Sequence, residues 1–129
     1  MGAVFERAVA VRWRDTDALG HVNHVVFLTY LEEGRDAFFA GVLGTDPIYV
    51  VVRIEIDLRA EVLHQDRAVK VRIEAERLGR TSLTTRETVL NSAGETVARA
   101  KVVTVLWDQE RRRAIPFSDE ARNRLMPAD

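Results

Sequence analysis

The chain has 129 residues, 47% of them hydrophobic and 30% charged, with a formal net charge of −1, so residues 1–129 are expected to form one globular domain. The near balance of charges argues against a nucleic-acid surface, and the absence of cysteine excludes disulfides and thiolate chemistry. No apolar run is long enough to span a membrane and no signal peptide is recognisable, so a cytoplasmic protein is expected.

The first predicted elements are a strand, RAVAVRW, and a long helix from His24 to Ala40. The helix is predicted because apolar residues recur with helical spacing over more than half of its circumference. Asn23 is the predicted N-cap, and Gly41 is predicted to end the helix. Gly34 lies within the apolar arc, which predicts a close approach of the helix backbone to a sheet. The arc consists of Phe27, Tyr30, Leu31, Gly34, Ala37 and Phe38.

Four further strands are predicted after this helix, because apolar and polar residues alternate along them. They are VRIEIDLRAEV (Val52–Val62), AVKVRIEAERL, LTTRETVL and ETVARAKVVTVLW. The segments between them are short, which indicates antiparallel neighbours. A short helix from Ser118 to about Leu125 is predicted near the end of the chain. One long helix on a five-stranded antiparallel sheet is an α+β arrangement.

The loop before the long helix, DTDALGHVNH, contains two carboxylates and two of the three histidines of the chain. One interpretation is structural, with Asp15 and Asp17 forming Asx-turns and Gly20 completing a turn. A second interpretation is a metal site, since Asp15, Asp17, His21 and His24 are usable ligands. The segment has neither the spacing of an EF-hand nor a histidine pair one turn apart on a helix. The spacing therefore argues against a metal site.

A third interpretation of the same loop is catalytic. The N–H groups that follow Asn23 point out of the helix start, where the helix dipole favours negative charge. Such donors hold the oxyanion that forms when a carbonyl is attacked. A nearby carboxylate either attacks that carbonyl or deprotonates a water that does so. Asp17 lies far enough before the cap for the loop to fold back beside the helix start, so the residues alone leave all three interpretations open.

The segment RWRDTDALGHVNHVVFLTYLEEGRDAFF resembles the signature of the 4-hydroxybenzoyl-CoA thioesterase-like branch of the hotdog-fold acyl-CoA thioesterases. Weaker matches continue through IDLRAEVLHQDRAVKV, RLGRTSLTTRETVLNSAGETVARAKVVTVLWD and RRAIPFSDEARNRL, so the resemblance covers nearly the whole chain. It implies the hotdog fold, in which a five-stranded antiparallel sheet wraps around one long helix. It also implies hydrolysis of acyl-CoA to CoA and a free acid, without cofactor or metal, by homodimers that often pair into tetramers.

The resemblance also implies roles for individual residues. The catalytic carboxylate of the family falls on Asp17, and the helix-start position whose N–H polarises the thioester carbonyl falls on His24. Gly20 and Asn23 belong to the substrate-binding part of the same motif. The segment GRTS matches the junction near the CoA phosphates or pantetheine, which implicates Arg80, Thr81 and Ser82. Some relatives have two or three basic residues there, so QERRRA is a further candidate for CoA contact.

Two other functions stay open from the sequence. A hotdog hydratase or dehydratase uses a histidine and an acid for C–H and C–O chemistry, but its helix start tends to differ from DTDALGH. A non-catalytic acyl-CoA-binding module on the same fold has no need for Asp17. Among the other polar residues, Glu33 is a reserve catalyst, because a related thioesterase branch uses a helix carboxylate. His21 is expected to be structural and His64 to be exposed, while His24 is either functional or a core histidine.

Overall fold

The fold consists of one long helix, a curled antiparallel sheet and a short C-terminal helix, and the computed structural model describes residues 2–128. The predicted domain spans residues 1–129, and its first and last residues lie outside the described residues. The elements are β1 (Val4–Ala10), a 3₁₀ turn (Trp13–Asp15), α1 (His24–Leu43), β2 (Tyr49–Leu58), a second 3₁₀ turn (His64–Asp66), β3 (Ala68–Leu78), β4 (Ser82–Leu90), β5 (Thr96–Asp108), β6 (Arg113–Ala114) and α2 (Asp119–Leu125).

The sheet has the strand order β1-β3-β4-β5-β2, and each neighbouring pair is antiparallel. The predicted α+β arrangement of five antiparallel strands and one long helix is therefore confirmed. The two-residue strand β6 extends the sheet by pairing with β5. Alternation does not predict β6, because two residues are too few to show a period.

The long helix α1 packs on β1, β3 and β4. A Cβ atom added to Gly34 would lie 2.4 Å from Cγ1 of Val71 on β3, so the helix backbone touches the sheet there. The prediction of a close approach at Gly34 is confirmed. The buried residues of α1 are Phe27, Tyr30, Leu31, Gly34, Arg35, Phe38 and Phe39.

The helix α1 continues past the predicted end at Gly41 and finishes at Leu43. Gly44 follows in the left-handed conformation, with φ 73°, and its N–H donates to the carbonyl of Ala40 at 2.9 Å. The prediction that Gly41 ends the helix is wrong. The absence of a side chain at Gly41 serves packing instead, because an added Cβ would lie 2.3 Å from the ring of Phe5 on β1.

Within residues 2–128, neither helix combines the length and apolar character that crossing a membrane requires.

The edge strand β2 departs from its prediction in position and in burial. It covers Tyr49–Leu58 rather than Val52–Val62, and its apolar side chains at Val52, Ile54 and Leu58 are 58%, 39% and 49% exposed. The alternation in this segment typically reflects a strand with one buried face, but within a single chain that face of β2 is largely exposed. The physical reason is that α1 packs on β1, β3 and β4, which leaves the apolar side of β2 largely uncovered.

A buried ion pair joins the middle of α1 to β4. Both guanidinium contacts from Arg35 to the carboxylate of Glu87 measure 2.9 Å, and the Thr85 hydroxyl donates to the same carboxylate at 2.6 Å. The Arg35 and Glu87 side chains are 3% and 0% exposed. Burial favours a lower pKa for Arg35, but the bonds and charge of Glu87 outweigh burial and raise that pKa. The Arg35 guanidinium therefore stays charged within the core.

Candidate active site

A tight turn places the carboxylate of Asp17 next to the beginning of α1. The N–H of Gly20 donates to the Asp17 carbonyl at 3.0 Å, and Gly20 has φ 85°, which requires glycine-like freedom. One carboxylate oxygen of Asp17 accepts from the N–H of Leu19 at 2.9 Å. The other lies 3.4 Å from the side-chain amide nitrogen of Asn23. Asp17 remains partly exposed, so a reactant can reach it.

Asn23 connects this carboxylate to the helix start. Its side-chain oxygen accepts from the N–H of Val25 at 3.0 Å, which confirms Asn23 as the N-cap. Its side-chain nitrogen faces Asp17. The N–H of His24 has no acceptor among the described residues, as expected for the first residue of a helix. A free backbone donor and a carboxylate thus lie on either side of Asn23.

Asp15 is the structural carboxylate of the loop. Its Oδ2 atom accepts from the N–H of Arg12 and from the hydroxyl of Tyr30, both at 2.8 Å, and its side chain is buried. Burial, followed by the hydrogen bond to Asp15, raises the pKa of Tyr30 above its ordinary value. The sequence indicates the local backbone contact of Asp15, whereas the contact with Tyr30 depends on the helix packing against the loop.

The histidines lie in three different environments. His24 is exposed, so it is not a core histidine. His21 is half-buried and its backbone bridges to Leu63, as expected for a structural residue. His64 is exposed, and its ring meets the edge of Trp13 at a centroid distance of 5.5 Å. Within residues 2–128, no three His, Asp or Glu side chains come together as candidate metal ligands.

The reserve catalyst Glu33 is engaged in an ion pair. Its two carboxylate oxygens accept from the Arg12 guanidinium at 2.9 and 3.1 Å. The hydrogen bond to Glu33 is the main cause that raises the pKa of Arg12. Glu33 is thus held by a cation, whereas Asp17 has only neutral N–H donors as partners among the described residues, which favours Asp17 over Glu33.

The GRTS segment forms the turn between β3 and β4, and its backbone is held from several sides. The N–H of Gly79 donates to the Ser82 carbonyl at 2.8 Å, and that of Leu106 to the Thr81 carbonyl at 3.1 Å. The N–H of Phe117 donates to the Arg80 carbonyl at 3.1 Å. The Arg80 side chain itself is exposed, so a fixed backbone carries a solvent-exposed guanidinium.

The basic QERRRA segment forms the turn between β5 and β6, where Arg112 adopts φ 56° and stacks 5.9 Å above the Trp107 ring. Arg111 and Arg113 are exposed on either side of it. Since Leu106 also bonds Thr81, this turn lies at the same end of the sheet as the GRTS segment. The structure thus brings the two predicted groups of CoA contacts together.

The two halves of the predicted site lie at opposite ends of the sheet in one chain. The Asp17 loop adjoins the beginning of β3, where the N–H of Val11 donates to the Arg67 carbonyl and that of Val22 to the Val62 carbonyl, both at 2.8 Å. The GRTS segment follows the other end of β3. Eleven strand residues at about 3.3 Å each put roughly 30 Å between the two ends. One chain alone therefore does not bring Arg80, Thr81 and Ser82 to Asp17 and His24.

Comparisons with known proteins agree with this architecture. A family model described as "Thioesterase-like superfamily" matches residues 11–125. The chain is 27% identical over 126 residues to YsmA of Bacillus subtilis (strain 168), an uncharacterized protein, and the match covers 95% of this chain and 85% of YsmA.

Two solved structures are similar over nearly their whole length. A thioesterase from Thermus thermophilus, complexed with coenzyme A and Zn, is 34% identical with a TM-score of 0.80, and the match covers 93% of this chain and 90% of that one. A predicted thioesterase from Bacillus stearothermophilus is 27% identical with a TM-score of 0.84, covering 95% and 94% of the two chains.

Proposed function

The chain belongs to the thioesterase-like superfamily and has its hotdog fold, and on this basis we propose that it hydrolyses an acyl-CoA thioester to CoA and a free carboxylic acid in the cytoplasm. The observation that carries the proposal is the arrangement at the start of α1. Asn23 caps the helix and also faces the Asp17 carboxylate, while the neighbouring N–H of His24 is free among the described residues.

In the proposed reaction, the thioester carbonyl oxygen accepts a hydrogen bond from the N–H of His24. This bond and the helix dipole stabilise the negative charge that develops on that oxygen. Asp17 then acts in one of two ways. As a nucleophile it forms a mixed anhydride and expels the CoA thiolate, and water cleaves the anhydride. As a general base it takes a proton from the water that attacks the carbonyl, and the thiolate leaves afterwards.

A thiol-release assay tests the proposed activity. Acyl-CoA esters of different chain lengths and aryl acids are supplied, and the freed CoA thiol is followed with a thiol reagent. We expect release from at least one of them. A hydratase or dehydratase would change the acyl group without releasing thiol, and a binding module would bind acyl-CoA without turnover. Either result would overturn the proposal.

The geometry supports a site built from two chains. The strand β2 runs from the Arg80 end of the sheet to the Asp17 end, because Tyr49 pairs with Leu106 and Leu58 with Ala98. Its free edge offers pairing to a second copy. A two-fold axis through the middle of β2 would place the Arg80 end of the partner beside the Asp17 end of this chain. We therefore propose a homodimer, further paired as a dimer of dimers, in which each site combines Asp17 and Arg80 from different chains.

Ile54→Glu is expected to break this dimer. Ile54 lies near the middle of β2, so the two-fold axis brings it close to its own copy, and two carboxylates would repel there. In sedimentation the wild type is expected to run as a dimer or larger, and Ile54→Glu as a monomer without thioesterase activity. Val4→Glu is the matched control, because Val4 on the other edge strand is 40% exposed against 39% for Ile54. A fully active wild-type monomer at assay concentration would contradict the proposal.

Arg80→Ala is expected to raise KM for acyl-CoA about tenfold or more while kcat stays near the wild-type value. The reason is that a guanidinium binds a phosphate equally well in the ground state and in the transition state. Steady-state kinetics of thiol release measure both constants, and Arg7→Ala, an exposed arginine on β1, serves as the control. An unchanged KM with a collapsed kcat would show that Arg80 does not serve CoA binding.

A mixing experiment tests whether the site crosses the dimer. Asp17→Asn and Arg80→Ala chains are refolded together and assayed well below the wild-type KM, where each parent is nearly inactive. If Asp17 and Arg80 come from different chains, each mixed dimer regains one intact site. Random assortment in a two-fold dimer then restores about a quarter of wild-type activity. If both residues belong to one chain, no intact site forms and activity is not restored.

A further inference from the structure

Three side chains form a row across the side of the sheet that faces away from α1. The register pairs Arg72 on β3 with Thr88 on β4, and Thr88 with Arg99 on β5. Val71 and Ile73, the neighbours of Arg72, are fully buried towards α1, so Arg72 points to the opposite side of the sheet. Both arginines are exposed. Since strands lie about 4.8 Å apart, the two arginine Cα atoms are roughly 10 Å apart, with the threonine between them.

This row lies in a groove of about 1120 Å³ on the solvent-facing side of the sheet. The turn between β4 and β5, Asn91–Gly94, forms one wall. Asp66 holds this turn, because one of its carboxylate oxygens accepts from both the backbone N–H and the hydroxyl of Ser92. The other oxygen accepts from the N–H of Leu63 at 2.9 Å. Strands and a tethered turn thus form the groove, which makes its shape largely rigid.

The positive charges of the groove are only partly neutralised within the described residues. Lys70 and Arg99 form no ion pair there, and Arg72 reaches Glu74 only at 4.0 Å. Glu6, the register neighbour of Arg72 on β1, also lies in the groove without forming an ion pair. Four cations line the groove against three carboxylates, Glu6, Asp66 and Glu74, and the fourth cation, Arg86, pairs with Glu76 outside the lining. The cations are therefore in slight excess, and cations held close together on a rigid surface attract multivalent anions.

We propose that this groove binds a phosphate-bearing anion with two or more negative charges, such as the pyrophosphate group of a nucleotide. The planar guanidinium groups of Arg72 and Arg99 match the geometry of phosphate oxygens, and they approach from two sides. The Thr88 hydroxyl between them donates a further hydrogen bond. The groove lies on the opposite side of the sheet from α1 and is distinct from the Asp17 loop.

Calorimetric titration with pyrophosphate tests the groove directly. The double variant Arg72→Gln/Arg99→Gln is expected to raise Kd about tenfold or more, as the loss of two charge-assisted contacts implies. The control Arg7→Gln/Arg77→Gln removes the same charge from exposed arginines outside the groove, and its Kd is expected to stay within about twofold of the wild type. Equal weakening in both variants, or no binding by the wild type at millimolar pyrophosphate, would overturn the proposal.

Two further measurements distinguish the possible sources of the phosphates. If the ligand is a free nucleotide, ADP binds with the same dependence on Arg72 and Arg99, and KM for acyl-CoA is unchanged in the double variant. If the phosphates are those of the CoA substrate, KM rises in the double variant as well. The titration with pyrophosphate needs no turnover, so it remains decisive even if the protein proves not to be a thioesterase.

Discussion

Asp17→Asn is expected to lower kcat for thiol release by about 10²–10⁴, the range typical of losing a positioned acid, base or nucleophile. The substitution keeps the size of the side chain and an acceptor for the N–H of Leu19, but it removes the negative charge. Neither proposed step proceeds well without that charge. Because the binding contacts are unchanged, KM is expected to stay within a few-fold of the wild type.

Asp15→Asn is the matched control for this experiment, since it makes the same chemical change two residues earlier. Asp15 binds Arg12 and Tyr30 from inside the loop, and an amide oxygen can still accept both bonds. We expect most of kcat to remain and stability to fall by about 0.5–2 kcal/mol, as for other local capping contacts. Full activity in Asp17→Asn, together with lost activity in Asp15→Asn or Glu33→Gln, would contradict the mechanism.

Glu87→Gln is expected to destabilise the protein by about 3–5 kcal/mol, the usual consequence of leaving one member of a buried ion pair without its partner charge. A guanidinium stays protonated in proteins, so Arg35 would become an uncompensated charge in the core: its side chain is 3% exposed, and no second carboxylate binds it among the described residues. Chemical denaturation at a fixed protein concentration measures the change, since dissociation would otherwise shift the midpoint.

Two controls separate the cost of leaving a charge buried and unpaired from the loss of the electrostatic attraction between Arg35 and Glu87. Glu76→Gln breaks the surface ion pairs with Arg86 and Lys101, and we expect a loss of at most about 1 kcal/mol, because surface pairs contribute little. The double variant Arg35→Met/Glu87→Leu replaces both charges with apolar groups, and it is expected to recover most of the stability lost in Glu87→Gln. If Glu87→Gln and Glu76→Gln had equal effects, burial would not be the cause.

The features that the sequence predicts well depend on residues that are close together along the chain. The helix α1 follows from its apolar spacing, and the N-cap Asn23 from its side-chain chemistry. The juxtaposition of Asp17 and the helix start also follows, because both belong to one short loop. The proposed roles of these residues come from the family resemblance and await the experiments above.

The parts that the sequence does not predict depend on distant partners. In LTTRETVL, alternation places Glu87 on the same side as the buried Leu83 and Val89, which is a visible signal of a buried charge. Its partner Arg35 is on α1, and only the packing of α1 on β4 identifies it. The separation of Arg80 from Asp17 likewise becomes visible only from the strand register, because the residues of a turn do not indicate at which end of the sheet the turn lies.

The edge position of β2 has a consequence for how the chain folds during synthesis. Among the described residues its one sheet neighbour is β5, which leaves the ribosome after β3 and β4 have been made, so β2 stays unpaired until then. Non-local pairing of this kind is slow, and an unpaired apolar strand invites aggregation. The charges that alternate along β2, at Arg53, Glu55 and Asp57, act as gatekeepers during this interval. We expect substitutions that remove them to lower the yield of soluble protein before they affect the stability of the folded state.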